Sequence, residues 1–289
     1  MNIPIDSIVC DSDCELVSLK LRDGYRGYGR LFEAAGTDRA VLYLHGIQSH
    51  GGWFLRSCEE LRRAGVTVLA PDRRGSGLNR SARGHCDNPR QLLDDVDRAL
   101  QWLQNHTAAT AIDLVAVSWS GKLALVYAAE YPDKVRSVTL VTPGLCARVD
   151  ISLKEKIAIG LHGVINTRQD HEIPLNDPRL FTAHLPMLRF IENDPLKLTH
   201  ATASFFITST RLDGQVRRAV NRVRAPVRLF LAEHDQIIDN QATLALLKPV
   251  LTAPSADRPT AQVYPGAHHA LDFEPDPGLF FDELVSVFH

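Results

Sequence analysis

A single serine between an apolar run and a helical run constrains the fold more than any other feature of this chain. The apolar residues 114–117 stop at Ser118, and a helix-like pattern begins at Lys122. A strand that turns into a helix so abruptly leaves no room for large side chains two positions before and after the turn. Ala116 and Ser120 are both small. The segment therefore predicts a tight turn that lifts the Ser118 hydroxyl out of a sheet, above a helix N-terminus.

Ser120 is the alternative nucleophile within this turn. Its neighbours two positions away are Ser118 and Lys122, and a lysine does not fit such a crowded position. Ser118 is the better candidate for this reason, although a serine buried at a strand end without any chemistry is the competing interpretation. A nucleophile on this turn requires an acid and then a histidine downstream, each just after a strand.

Apolar runs of strand length alternate with helical patterns over residues 40–141, after a hairpin around residues 22–24. Continuously apolar strands separated by helices indicate a mostly parallel sheet covered by helices on both faces. The alternation stops over residues 145–223, where helical runs occur without a core strand, and it resumes at residue 226. We predict an α/β core domain formed by residues 1–144 and 224–289, with residues 145–223 inserted as a helical cap.

Composition and charge exclude several classes of protein. The 289 residues carry 32 basic and 34 acidic side chains, and a net charge of −2 offers no general attraction to nucleic acid. The first residues contain early acids and no basic stretch before an apolar core, which argues against a signal peptide. No apolar run reaches the roughly 20 residues that a membrane span requires.

Five cysteines occur in the chain, an odd and scattered set. Cys10 and Cys14 are spaced like a metal-binding pair, but the matching second pair is missing. Isolated reduced thiols are the better interpretation, and they favour a reducing compartment. We expect a cytoplasmic protein that uses no cofactor and no metal, and the oligomeric state stays open.

Acidic residues and histidines follow two later strands in the order that the serine requires. Asp235 lies just past the end of an apolar run, with Glu233 and Asp239 as alternatives, and His268 and His269 lie beyond the last strand. Nucleophile, acid and histidine in this order belong to one fold and to neither major serine protease family. In such a set the imidazole accepts the serine proton, while the carboxylate holds the imidazole in one tautomer.

Two backbone N–H groups are candidates to stabilise a tetrahedral oxyanion. The turn itself supplies the N–H of Trp119. A glycine-rich segment at residues 45–53 follows an earlier strand and precedes a helix, and within it we favour the N–H of Ile47. The alternative is that this segment is only a connection between strand and helix.

Together these segments resemble a serine hydrolase of the α/β-hydrolase fold, most of all the group of monoacylglycerol lipases, lysophospholipases and serine aminopeptidase-like enzymes. The resemblance covers nearly the whole chain through HGIQSHGGWF, APDRRGSGLN, LVAVSWSGKLAL, RAPVRLFLAEHDQIID and YPGAHHALDFE. It implies Ser118 as nucleophile, Asp235 as acid and His269 as base. His269 is preferred to His268 because the family histidine lies three residues after the glycine that matches Gly266.

The same resemblance implies Ile47 and Trp119 as the oxyanion donors. At several positions, however, this sequence differs from the family pattern. The commonest family turn has glycine, histidine and glycine at the positions of Ala116, Val117 and Ser120. The flanking residues stay small, so the geometry of the turn is expected to survive. Lys122 and His268 are less usual, and they bear on substrate choice and pH profile more than on the class of reaction.

The expected activity is hydrolysis of a carboxylic ester through an acyl-enzyme, with a monoacylglycerol, a lysophospholipid or a similar small ester as substrate. A thioesterase, amidase or acyltransferase with the same triad is the first alternative. A non-catalytic ligand-binding protein is the second, and the presence of serine, acid and histidine in order argues against it.

The predicted cap is rich in apolar residues, most of which are expected to bury against the sheet domain. A subset is expected to form an apolar pocket over Ser118 that takes an acyl or aromatic group. We expect Gln48, Phe205 and Phe206 to contact the substrate. Residues 157–165 are also a candidate lid helix with weak peripheral membrane contact, without stable insertion.

Overall fold

Most strands of the described chain belong to one sheet. The computed structural model describes residues 14–35, 39–107, 109–251 and 260–288. In chain order the strands are β1 (Glu15–Lys20), β2 (Arg26–Phe32), β3 (Ala40–Leu44), β4 (Thr67–Pro71), β5 (Ile112–Val117), β6 (Val135–Val141), β7 (Asp170–Glu172), β8 (His200–Thr202), β9 (Val227–Ala232) and β10 (Ala261–Tyr264). Within the described ranges, eight of them form a sheet in the order β1-β2-β4-β3-β5-β6-β9-β10.

The sheet is mostly parallel. β1 and β2 form the predicted antiparallel hairpin, β2 also runs antiparallel to β4, and the strands from β4 to β10 in the sheet order are parallel to one another. All side chains of β3 and β5 are buried, which is the pattern of strands covered on both faces.

Helices flank this sheet. In chain order the α-helices of the described residues are α1 (Leu55–Arg63), α2 (Pro89–Thr107), α3 (Gly121–Glu130), α4 (Leu153–Ile165), α5 (Leu185–Asn193), α6 (Ala203–Ala219), α7 (Asn240–Leu251) and α8 (Gly278–Ser286). α1 packs on β4 and beside α8, whereas α2 packs on β3 and beside α3. The apolar face of α2 buries Leu92, Leu93, Val96, Leu100 and Leu103. Burial of each such side chain stabilises the fold by roughly 1.5–3 kcal/mol.

The mostly parallel sheet with helices on both faces confirms the predicted α/β fold class.

The carboxyl ends of the parallel strands meet at one edge of the sheet, because parallel strands all point the same way. The segments that follow β3, β5, β9 and β10 therefore converge there. These segments carry the glycine-rich loop, the serine turn, the acidic loop and the histidine loop that the sequence singles out.

The segment between β6 and β9 contains α4, α5 and α6, together with a small sheet in which β7 and β8 pair antiparallel. α6 packs along α3, and α4 packs on α6, which holds the insert against the core. The small sheet differs from the purely helical insert that the sequence suggests. Strands of three residues are too short to show an alternating pattern, which is why it was missed. The domain boundaries stay a prediction.

One face of α4 is exposed and apolar. Leu153, Ile157, Leu161, Val164 and Ile165 are each between 58% and 84% exposed. No helix in the described ranges is long and apolar enough to cross a bilayer. Peripheral membrane contact of this face stays a prediction.

The cysteines depart from the expectation of five reduced thiols. Cys14 is disulfide-bonded, whereas Cys58, Cys86 and Cys146 carry reduced thiols. The prediction of reduced thiols is therefore wrong at Cys14, because a disulfide depends on a second sulfur nearby in space, which a count of cysteines does not show. Cys10 lies outside the described residues, and so does most of the N-terminal segment that was considered as a signal peptide.

Candidate active site

The turn after β5 has the strained geometry that the small flanking residues predict. Ser118 has a φ of 53°, in the left-handed region that non-glycine residues rarely adopt. Gly144 N–H donates to the Ser118 carbonyl at 2.8 Å, and a Cβ on Gly144 would lie 3.2 Å from the Trp119 nitrogen. A Cβ on Gly121 would lie 2.9 Å from the Cβ of Pro143. The backbone around the turn thus leaves little room for a side chain at Gly121 and Gly144, a restriction that the sequence did not predict.

Two contacts of hydrogen-bond length connect Ser118 to His269 and His269 to Asp235. His269 Nε2 is 3.0 Å from the Ser118 hydroxyl, and His269 Nδ1 is 2.8 Å from Asp235 Oδ2. The other carboxylate oxygen, Oδ1, accepts the N–H groups of Ile237 and Ile238 at 2.8 and 3.0 Å. All three side chains are at least nine-tenths buried. The arrangement lets the imidazole take a proton from the serine while the carboxylate fixes its tautomer.

The alternative acids and the alternative histidine have other partners. His268 contacts Glu274 through Nδ1 at 3.1 Å and through its backbone N–H at 2.6 Å. Glu233 accepts the N–H of Gly266 at 2.8 Å. Asp239 accepts the N–H of Ala242 at 3.0 Å, at the start of α7. The structure thus brings Asp235 and His269 to Ser118 and occupies Glu233, Asp239 and His268 elsewhere.

The glycine-rich loop after β3 lies against the serine. A Cβ on Gly46 would be 3.2 Å from the Cβ of Ser118, so the Gly46 backbone approaches the nucleophile as closely as glycine permits. Ile47 follows directly, and within the described residues its N–H donates no hydrogen bond. The N–H of Ile47 is thus an unpaired donor next to the nucleophile, as an oxyanion site requires.

A cavity of about 650 Å³ opens between Ser118 and the insert. Its walls are mainly apolar side chains: Ile47, Trp119, Val149, Ile151, Ile159, Ile173, Leu175, Phe206, Ile207, Ile237 and Ile238. The lining residues come from α4, α6, the first turn of α3 and the segments after β3, β5, β6, β7 and β9. This volume lies within the usual range for small-molecule sites.

Of the three residues expected to contact substrate, only Phe206 lines this cavity. Phe205 is buried and stacks on Trp119, with ring centroids 5.0 Å apart. Successive helix residues point about 100° apart, so adjacent phenylalanines do not share a wall. Gln48 lies beside a much smaller gap near Ser118, and its amide donates to Asn176 Oδ1 at 2.6 Å. Substrate contact by Gln48, Phe205 and Phe206 stays a prediction.

Lys122, at the start of α3, contacts two side chains of the insert. Its ammonium lies 2.6 Å from Asp213 Oδ1 and donates to the Ser209 hydroxyl at 3.2 Å. The indole N–H of Trp119 donates to the same hydroxyl at 2.9 Å. Ser209 and Asp213 lie on α6, one helical turn apart. Sequence reasoning noted Lys122 as unusual but had no signal for its partners, which lie nearly 90 residues away.

A buried acid sits three residues after His269. Burial raises the pKa of Asp272 to about 7, although the Ser57 hydroxyl donates to its carboxylate. The folded state therefore holds a proton that the unfolded chain releases near pH 4, and stability falls as the pH rises from about 4 to 7.

Between pH 5 and pH 8 the titration of Asp272 should lower the free energy of unfolding of the wild type by on the order of 2 kcal/mol. We expect Asp272→Asn to remove this contribution. The measurement is urea unfolding at both pH values. Asp276→Asn is the matched control, because Asp276 is exposed in the same loop. An unchanged pH dependence in Asp272→Asn would contradict the assignment.

A mostly parallel sheet with a serine on the turn after β5 and a histidine beyond β10 defines a serine hydrolase of the α/β-hydrolase fold. Residues 35–276 match the family described as serine aminopeptidase, S33. The chain belongs to this family.

Similar proteins agree with this assignment. The chain is 23% identical to human (Homo sapiens) monoglyceride lipase over 263 residues, which cover 90% of this chain and 85% of that protein. The crystal structure of monoacylglycerol lipase from Paleococcus ferrophilus matches with a TM-score of 0.77 at 23% identity, covering 90% of this chain and 98% of that one. A soluble variant of monoglyceride lipase from Saccharomyces cerevisiae matches with a TM-score of 0.82 at 17% identity, covering 96% of both chains. The protein is a carboxylic ester hydrolase of this fold.

Proposed function

We propose that Ser118, His269 and Asp235 form a catalytic triad that hydrolyses a small carboxylic ester with an apolar acyl group. The observation that carries the proposal is the pair of contacts from His269, 3.0 Å to the Ser118 hydroxyl and 2.8 Å to Asp235. Ser118 lines the mainly apolar cavity, and His269 lies beside the smaller gap that Ser118 also borders. The insert at residues 145–223 acts as the cap that encloses this cavity.

The reaction follows from the roles of these groups. The Ser118 oxygen attacks the ester carbonyl carbon, and its proton passes to His269 Nε2. The N–H groups of Ile47 and Trp119 stabilise the oxyanion. Collapse of the tetrahedral intermediate expels the alcohol, which takes the proton from His269 and leaves an acyl-enzyme. Water then attacks the acyl carbon with His269 as base, which releases the acid and restores Ser118.

The cavity favours an acyl chain over a charged group. Most of its lining side chains are aliphatic or aromatic, and four of its five charged lining residues form two ion pairs, Lys122 with Asp213 and Lys156 with Asp150. Arg211 is the fifth. Monoacylglycerols, lysophospholipids and similar esters combine such a chain with a small head group. The relatives named monoglyceride lipase support this substrate class.

We expect kcat/KM for p-nitrophenyl esters to rise with acyl length, by at most about fourfold per methylene, until the cavity is full. Ile159→Trp should move the plateau to shorter chains, because Ile159 is buried on α4 and lines the cavity. Val164→Trp is the control, since Val164 lies on the same helix and is 84% exposed. A rate that falls steadily with chain length would count against the proposed substrate class.

Substrates that share one acyl chain and differ in the bond to be cleaved distinguish the alternative activities. Ester, thioester, amide and alcohol-acceptor assays at equal chain length separate ester hydrolysis from thioesterase, amidase and acyltransferase activity. No turnover of any of them, together with no fluorophosphonate labelling of Ser118, would leave the non-catalytic alternative.

A further inference from the structure

We propose that Arg73 is a positioning residue for the oxyanion donors, holding the peptide groups on the Ile47 side of the site in their working orientation. This inference rests on the proposed triad and its oxyanion site. Arg73 lies in the loop after β4, within the segment APDRRGSGLN, and the sequence alone assigned it no role.

The Arg73 guanidinium spans two consecutive peptide groups of the glycine-rich loop. Nη1 donates to the Gly46 carbonyl at 2.9 Å, and Nη2 donates to the Ile47 carbonyl at 2.8 Å. Nη2 also donates to the Ser76 hydroxyl at 2.8 Å, which fixes the guanidinium from its own loop. A planar guanidinium with parallel donors is suited to hold two neighbouring acceptors at once.

A carbonyl held on one side directs the N–H of the same peptide group to the other side, because the trans peptide is planar. The Gly46 carbonyl and the Ile47 N–H belong to one peptide group. By binding the Gly46 carbonyl, Arg73 turns the unpaired Ile47 N–H away from itself. The Gly46 backbone lies against Ser118, so that N–H is available at the nucleophile.

His45 supports the same carbonyl. Burial and the nearby Arg73 charge lower the pKa of His45 to about 3, so the imidazole is neutral. Its Nε2 accepts the Arg73 backbone N–H at 2.8 Å, and its Nδ1, carrying the proton, donates to the Gly46 carbonyl at 2.8 Å. Backbone and side chain of Arg73 thus act on the loop together.

The Trp119 side of the site is built in the same way. There the carbonyl of the peptide group that contains the Trp119 N–H belongs to Ser118, and the Gly144 N–H binds it at 2.8 Å. The Arg73 guanidinium carbon also lies 4.9 Å from the centroid of the Trp119 ring and 5.1 Å from that of Phe205. Arg73 thus contacts both residues proposed to supply oxyanion donors.

The carboxylate of Asp72, next to Arg73 in the chain, pairs with Arg30 instead. Among the described residues, no carboxylate forms an ion pair with Arg73. Burial lowers its pKa to about 10, so the guanidinium stays cationic at neutral pH. A cation behind the donors favours the anionic intermediate more than the neutral ester.

The test compares Arg73→Met and Arg73→Lys with wild type, using p-nitrophenyl butyrate and a trifluoromethyl ketone of matched chain length. The ketone adds Ser118 to form a stable oxyanion, so its affinity reports the site without turnover. We expect Arg73→Met to lower kcat about 10–100-fold, with KM changed less than about threefold. Ketone affinity should fall by the same factor as kcat/KM, and Arg73→Lys should fall between wild type and Arg73→Met.

Arg83→Met is the matched control. Arg83 also donates to loop carbonyls, those of Gly77, Leu196 and Lys197, but none belongs to the glycine-rich loop. It should keep kcat within about threefold of wild type. Thermal melting checks each variant, and Arg73→Lys carries the test alone if Arg73→Met does not fold.

Wild-type kcat in a folded Arg73 variant would overturn the inference, and so would a loss of kcat without a parallel loss of ketone affinity. Failure of the proposed function looks different. In that case wild-type protein itself would neither hydrolyse the ester nor react with the ketone.

Discussion

Ser118→Ala is expected to lower kcat for p-nitrophenyl butyrate by at least about 10⁴-fold while the protein stays folded. The hydroxyl is the proposed attacking group, and it lies 3.0 Å from His269 Nε2. Alanine retains the Cβ and removes one hydrogen-bonding atom, so melting temperature should change little. Ester hydrolysis, fluorophosphonate labelling followed by intact mass, and thermal melting together measure the effect.

Ser120→Ala is the control for this substitution. Ser120 is the other serine of the turn, and its hydroxyl contacts the Leu44 carbonyl at 2.8 Å and the Val117 carbonyl at 2.9 Å. Its loss should lower stability by about 1 kcal/mol and leave labelling intact. Labelling that persists in Ser118→Ala and disappears in Ser120→Ala would show that the wrong serine has been assigned.

His269→Ala should lower kcat by a similar factor, about 10⁴-fold or more, because no base would remain to accept the Ser118 proton. Asp235 would then be left buried without its imidazole partner, so some loss of stability is expected as well. Ester hydrolysis under conditions where melting shows a folded protein separates the two effects.

The adjacent histidine provides a close control. His268→Ala removes the same side chain one residue earlier, where it pairs with Glu274 rather than with Ser118. We expect it to keep kcat within about threefold of wild type. Equal losses in both variants would mean that the loop, rather than the imidazole of His269, is what the reaction needs.

The serine turn was predictable because its requirements are local. A tight turn after β5 restricts the side chains at Ala116 and Ser120, and both restrictions are visible in the sequence. The alternation of apolar runs and helical patterns predicted the sheet for the same reason, since each run reports its own burial. The sequence indicated Gly144 only as part of a strand end, because its contact with the turn arises only where the loop after β6 meets it.

Assignments that depended on packing were less complete. Phe205 and Phe206 are equivalent in the sequence, yet only Phe206 faces the cavity, because the rotation of α6 decides which side chain points inward. Lys122 was visible as an oddity, but Asp213 could be matched to it only once α6 lay along α3.

By itself the sequence determined the fold class and the order of nucleophile, acid and base candidates along the chain, because turns and strand burial are properties of neighbouring residues. The family resemblance already favoured His269 over His268. Tertiary structure alone decided that His269 Nε2 lies 3.0 Å from the Ser118 hydroxyl and that Arg73 binds the Ile47 carbonyl. Each of these contacts joins segments far apart in the sequence. Their distances follow from how strands and helices pack, and no local pattern records that packing.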